Sequence, residues 1–301
     1  MKYNPFRPGN IVRPGMFAGR YEEIETIEKS LFQTKHGNPQ HLILTGERGI
    51  GKSSLMMFAN YVASGEIKLN LQEDLNFLVI NIELQSGLSA TDVVKLLGKK
   101  FKSELNLKEE LRAKATAVWD FIKDWEVLGV KYNAKDSATD PIPLVDELVD
   151  QFIKFIKEAE GIDGIAILID EADKADQKTQ LGQILKLLTE KITRSDCNQI
   201  LVALAGLPDL LTKLKESHES SISIFQVLNL EPLLEAERVQ VIEKALEEAN
   251  EKNTTPTKID DNAKILIADL SEGYPHFVQQ FGYSAFESDT NNIIDPQDVL
   301  N

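Results

Sequence analysis

Residues 46–53 read Gly46-Glu47-Arg48-Gly49-Ile50-Gly51-Lys52-Ser53, which meets G-x-x-x-x-G-K-[ST] at every fixed position. The flanks agree with it. His41-Leu42-Ile43-Leu44-Thr45 is short, apolar and strand-like, and the segment from Ser54 to Val62 suits a helix. Strand, glycine loop and helix in that order form a phosphate cradle. The three glycines let successive N–H groups turn inward toward phosphate oxygens. The following helix adds the positive end of its dipole. Lys52 is then expected to reach the β- and γ-phosphates, the Ser53 hydroxyl to ligate Mg²⁺, and Ser54 to lie against the phosphates.

Outward from the loop, apolar strand-like runs alternate with helical patterns. Residues 77–82, 165–169, 200–205 and 224–230 read as further strands, and 21–33, 144–159 and 176–194 as helices. Continuous apolar strands between helices imply a parallel sheet buried on both faces. The expected fold class is therefore α/β: a five-stranded parallel sheet covered by helices on both faces. After Glu231-Pro232 the pattern is helical, with segments at 233–250, 260–271 and 275–288. The expected domains are 1–230 and a smaller all-helical 231–301. Residues 89–126 look mostly helical, with Trp119, Ile122 and Trp125 spaced as core side chains, and 129–143 read as a loop.

The 301 residues carry a net charge of −15. Residues 231–301 hold 15 acidic and 5 basic side chains, a net −10. Such a surface repels a phosphate backbone, so charge does not favour DNA as a partner there. The basic stretch Lys95, Lys99, Lys100 and Lys102 reads as a solvated helix face. No apolar run is long enough to span a bilayer, and the N-terminus has no apolar signal region. Cys197 is the sole cysteine, which excludes an internal disulfide and suits a reducing cytoplasm. The expectation is a cytoplasmic protein without membrane contact.

Asp170-Glu171 closes the apolar strand at 165–169. Ligands of α/β sheets bind at the carboxyl ends of strands. Asp170 is placed there to hold Mg²⁺, and Glu171 to polarise an attacking water.

With these segments in view, the chain resembles the P-loop ATPases of the AAA+ superfamily, in the origin-recognition and archaeal initiator branch, with features of the STAND signalling NTPases. The resemblance covers roughly residues 10–288. It rests on Phe17-Ala18-Gly19-Arg20 with Glu22-Glu23-Ile24, on the loop 46–53, on Ile169-Asp170-Glu171-Ala172-Asp173 and on Gly273-Tyr274-Pro275. It implies ATP as ligand, residues 12–20 (Phe17, Gly19 and Arg20 among them) along the adenine, and a helical lid contributing Pro275 and His276. It implies homo-oligomer or protein partners.

The departures are equally informative. The end of the fourth strand reads Ala203-Leu204-Ala205-Gly206, where such proteins usually place a polar sensor. Ser220-Ser221-Ile222-Ser223 lacks the arginine that many relatives extend into a neighbouring subunit, and the lid reads Gly273-Tyr274-Pro275-His276 where initiators often carry a sensor arginine. An arginine finger contributes about 10³–10⁵ in rate, so slow hydrolysis is expected, with Arg20 and Arg194 as the candidate substitutes. Initiators carry a winged-helix domain after the lid, and this sequence stops at Asn301. Three roles stay open: an ATP-driven switch or assembly factor, a DNA-transaction ATPase working with a separate DNA-binding module, and a passive nucleotide-binding module.

Overall fold

The computed structural model describes residues 2–11, 17–68, 73–107 and 142–301. The expectations for Trp119, Ile122, Trp125 and most of the 129–143 loop fall outside these residues.

Five strands form one sheet in the order β2-β3-β4-β1-β5: β1 (His41–Thr45), β2 (Phe77–Glu83), β3 (Gly164–Asp170), β4 (Ile200–Gly206) and β5 (Phe225–Asn229). The β2–β3, β3–β4 and β1–β4 pairs are parallel. Every residue of β1 and β4 is buried, as expected for strands covered on both faces. Thr45 is in register with Gly206, and Ile169 with Leu204. The carboxyl ends of β1 and β3 therefore lie on the same side of the sheet with one strand between them, about 10 Å apart by strand spacing.

The helices are α1 (Tyr21–Lys35), α2 (Lys52–Ala63), α3 (Ala90–Leu107), α4 (Ile142–Glu158), α5 (Leu181–Arg194) and α6 (Leu210–Ser217). The helix expected from residue 176 begins at Leu181, because Asp176 takes its N-terminal residues into a turn. Its carboxylate accepts the Lys178 amide at 2.8 Å. Helix α3 buries Val93, Val94, Leu97, Phe101 and Leu105 on one side. Phe101 meets Phe152 and Phe155 of α4 edge-on, with centroids 4.9 and 5.5 Å apart. Each such buried side chain contributes about 1.5–3 kcal/mol of apolar transfer.

The C-terminal part holds α7 (Glu235–Lys252), α8 (Asp261–Leu270), α9 (Pro275–Ser288) and α10 (Pro296–Leu300). It is not wholly helical: β6 (Lys258–Ile259) pairs in parallel with β7 (Ile293–Ile294).

Contacts divide the chain into two compact units. One comprises 25–45 and 59–228 and carries the sheet; the other comprises 1–24, 46–58 and 229–301. The second has its own apolar core, in which Phe6 packs with Leu233, Ile242, Ile267, Val278 and Phe286. Gly282 makes room for Phe6, since a Cβ there would sit 2.4 Å from the ring. Among the described residues no helix is long and apolar enough to cross a membrane.

Candidate functional site

The phosphate loop takes the backbone form that its glycines permit. Gly46, Gly49 and Gly51 all have positive φ, at 157°, 81° and 104°, conformations that cost side-chain-bearing residues energy. Gly46 is also crowded: a Cβ would lie 3.0 Å from the Leu230 carbonyl. The Lys52 ammonium curls over the loop, donating to the carbonyls of Gly46 (2.8 Å) and Glu47 (2.9 Å). The ammonium is thus held over the loop by two backbone carbonyls. Glu47 and Arg48 are exposed at the tip, Ile50 is buried beneath it, and Ser53 and Ser54 are half-buried in the first turn of α2.

Three other segments of the same unit converge on the loop. Arg20, in the left-handed region at φ 61°, is only 9 % exposed. Its guanidinium donates to the Ile50 carbonyl and to Glu23, both at 3.1 Å. From α7, Lys244 donates to the Phe17 carbonyl. Glu237 lies against Gly19, where a Cβ would fall 2.5 Å from the carboxylate. From α9, the His276 amide donates to the Gly49 carbonyl at 3.3 Å.

These segments border a cleft, open to solvent, lined by Phe17, Ala18, Ile50, Leu233, Val241 and Pro275 together with Gly51, Ser54, Arg20 and Gln279. An apolar cleft ending at an amide-rich loop suits a flat aromatic base attached to phosphates.

Asp170 and Glu171 belong to the sheet unit, at the carboxyl end of β3. The Asp170 carboxylate accepts the Glu171 amide at 2.8 Å. Glu171 adopts φ 53°, ψ 34°, a left-handed conformation of the kind that collects at functional sites. The short 3₁₀ turn that follows, Ala172–Lys174, is fastened on both sides. Toward β4, the buried Asp173 carboxylate accepts the Leu207 amide at 3.0 Å. Toward β2, Lys174 bridges Glu171 (3.3 Å) and Glu83 (3.7 Å). The Glu171 carboxylate holds the Lys174 ammonium above the usual lysine range. Ser53 and Asp170 offer hard oxygen donors of the type Mg²⁺ takes.

Of the residues singled out from the sequence, Phe17, Gly19, Arg20, the whole loop 46–54, Pro275 and His276 share one compact unit, and Asp170 with Glu171 sit together in the other. Of the two arginines nominated as finger substitutes, Arg20 is engaged in supporting the loop, and Arg194 is an exposed side chain paired with Glu190 at 3.3 Å. Gly206 ends β4 where a polar sensor was sought; a Cβ there would lie 2.9 Å from the Asp173 carboxylate. Leu233, Val241, Lys244 and Gln279 were not anticipated. Gln279 carried a signal: it is a polar residue one helical turn beyond Pro275 on an otherwise apolar helix face.

A model of the AAA ATPase domain family matches residues 16–193. The chain is 25 % identical over 260 residues to an uncharacterized HTH-type transcriptional regulator of Methanocaldococcus jannaschii, covering 83 % of this chain. It spans 58 % of the length of that relative. Among solved structures, Cdc6p from Pyrobaculum aerophilum is similar with a TM-score of 0.61 at 13 % identity, over 98 % of this chain and 68 % of that one. The Aeropyrum pernix ORC2 protein, solved as ADPNP and ADP complexes, is similar with a TM-score of 0.56 at 15 % identity, over 99 % and 71 %. These structural likenesses bear on the fold.

Proposed function

The chain belongs to the AAA ATPase domain family, and from that premise we propose that it is an ATP-controlled switch or assembly ATPase with slow Mg²⁺-dependent hydrolysis. In this reading the backbone N–H groups of 46–54 and Lys52 bind the phosphates, and Ser53 and Asp170 hold Mg²⁺. The metal would supply charge neutralisation on the β- and γ-phosphates. Glu171 orients the water that attacks the γ-phosphorus as the bond to ADP breaks. Pro275 and His276 answer the nucleotide from the lid. The observation that carries the reading is that the strap at 17–20, the phosphate loop and the first residues of α9 surround one cleft within one compact unit. A ligand filling that cleft would contact all three and so favour one lid position over others.

The test is calorimetric binding of Mg-ATP together with single-turnover hydrolysis. The native chain should bind ATP and turn it over well below one per second without a partner. Lys52→Ala should abolish binding, and Glu171→Gln should bind normally yet fail to hydrolyse, accumulating any ATP-dependent assembly. Turnover of tens per second by the isolated protein would refute the slow-switch reading.

A second reading, a DNA-transaction ATPase working with a separate DNA-binding module, is supported by the similarity to an HTH-type regulator of which this chain spans 58 %. The net charge of −10 over 231–301 opposes DNA contact by that part. A gel shift with duplex DNA and ATP at low salt separates the two readings.

A further inference from the structure

Gln279 sits on α9 four residues after Pro275, so both side chains leave the same face of the helix, and both line the cleft. Gln279 is 8 % exposed. Its Oε1 accepts the Arg7 amide at 2.8 Å. That bond fixes the sense of the side-chain amide, because an N–H can be met only by the oxygen, which leaves the NH₂ group turned elsewhere. Among the described residues Nε2 makes no hydrogen bond. Among these residues it is therefore a donor left for an acceptor in the cleft. Among the described residues of the wall, the Arg20 guanidinium is bound to Ile50 and Glu23, and Phe17, Ala18, Leu233 and Val241 carry apolar side chains.

We propose that Gln279 reads the nucleobase, donating from Nε2 to a ring nitrogen of a purine seated in this cleft and selecting adenine over guanine. The selection follows from donors and acceptors. Gln279 presents a side-chain donor there, while its amide oxygen accepts the Arg7 amide. Adenine offers ring-nitrogen acceptors and buries only its exocyclic amine. The discrimination lies at N1, where adenine accepts from Nε2 while guanine presents an N1–H that sets donor against donor, the mismatch that polar sites reject most strongly. The backbone of residues 2–11 thereby acquires a part in specificity, since the Arg7 amide orients the reader.

This inference rests on the proposed reading that the cleft takes the nucleotide base, and the experiment separates the two. Binding to the wild-type chain is measured for ATP, GTP, inorganic tripolyphosphate, and the 1-, 3- and 7-deaza analogues of ATP, each lacking one ring acceptor. One deaza analogue should bind about 3- to 10-fold more weakly than ATP, the size of one hydrogen bond, and GTP more weakly still. Gln279→Met, which keeps the volume and removes the donor, should weaken ATP by the same factor, leave tripolyphosphate unchanged, and erase the penalty of that analogue. All three deaza analogues binding as tightly as ATP would overturn the proposal without recourse to a variant. So would a Gln279→Met chain that loses ATP and tripolyphosphate equally, since the residue would then act only in packing. A wild-type chain that binds neither ATP nor tripolyphosphate would instead overturn the nucleotide reading itself, and this inference with it.

Discussion

The His276 amide donates to the Gly49 carbonyl across 3.3 Å, so α9 begins on the phosphate loop itself. The contact is close on the carbon side too: a Cβ on Gly49 would fall 3.1 Å from the His276 Cβ. Two substitutions separate backbone from side chain. His276→Pro removes the amide donor yet suits the first turn of a helix, and should speed amide exchange at residues 46–51 and weaken ATP several-fold. His276→Ala keeps the amide and should leave that exchange unchanged. Any loss of ATP affinity in His276→Ala then measures an imidazole–phosphate contact alone.

Arg20 offers a sharper distinction between support and catalysis. Its buried guanidinium spans Glu23 and the Ile50 carbonyl, and hydrogen bonds to charged groups contribute about 1.5–3 kcal/mol. Arg20→Met should therefore lower the melting temperature and raise the ATP dissociation constant about tenfold or more. The single-turnover rate of bound ATP should stay within a few-fold of wild type. A chain that binds ATP normally and loses only the rate would make Arg20 a catalytic arginine instead.

Lys174 holds the Glu171 carboxylate at 3.3 Å in a partly exposed pair. Solvent-exposed pairs of that kind add little, so the restraint is weak. Lys174→Ala should raise the single-turnover rate by up to about fivefold, because the proposed water-orienting carboxylate no longer has to leave a partner. A fall of tenfold or more would mean that the ammonium itself serves the reacting groups.

The sheet and the loop were legible because their signals are local. Strands β1, β3 and β4 are unbroken apolar runs, and a buried strand needs no partner to be recognised. The loop 46–53 declares itself through its three glycines, all of which have positive φ. Contacts distant in sequence were not legible. Nothing about Gln279 alone announces that its oxygen meets Arg7, 272 residues away. The Pro- and Gly-rich opening hid a core residue, since no periodicity marks Phe6. The pairs β6 and β7 are two residues each, too short for alternation to register.

Phe6 gives that lesson a measurable form. It is 2 % exposed, packs edge-on to Phe286 with centroids 6.5 Å apart, and covers Gly282. Truncating a buried phenylalanine costs about 3–5 kcal/mol. Phe6→Ala should cost that much in urea unfolding of the unit that holds it. An effect under about 1 kcal/mol would show that residues 2–11 are not part of this core.

His41 predicts an acid limb to stability whose sign is fixed by its surroundings. The imidazole opens β1 at 6 % exposure, and burial pushes its pKa down to about 4. Its Nδ1 accepts the Val202 amide at 3.1 Å, so the neutral ring carries its proton on Nε2. In the unfolded chain the same group titrates near about 6.5. Between those values the unfolded state binds more protons, so stability rises with pH across that window. It is complete above about pH 6.5 and is lost progressively as pH falls toward 4, by at most about 3 kcal/mol. His41→Asn supplies an oxygen for the Val202 amide without a titrating group. Urea unfolding at pH 4.5 and 7.5 should show the variant losing about 2–3 kcal/mol less than wild type between the two conditions. Carboxylates contribute equally to both chains and cancel in that difference. Parallel losses would mean that the ring is protonated in the folded state and that Val202 has another acceptor.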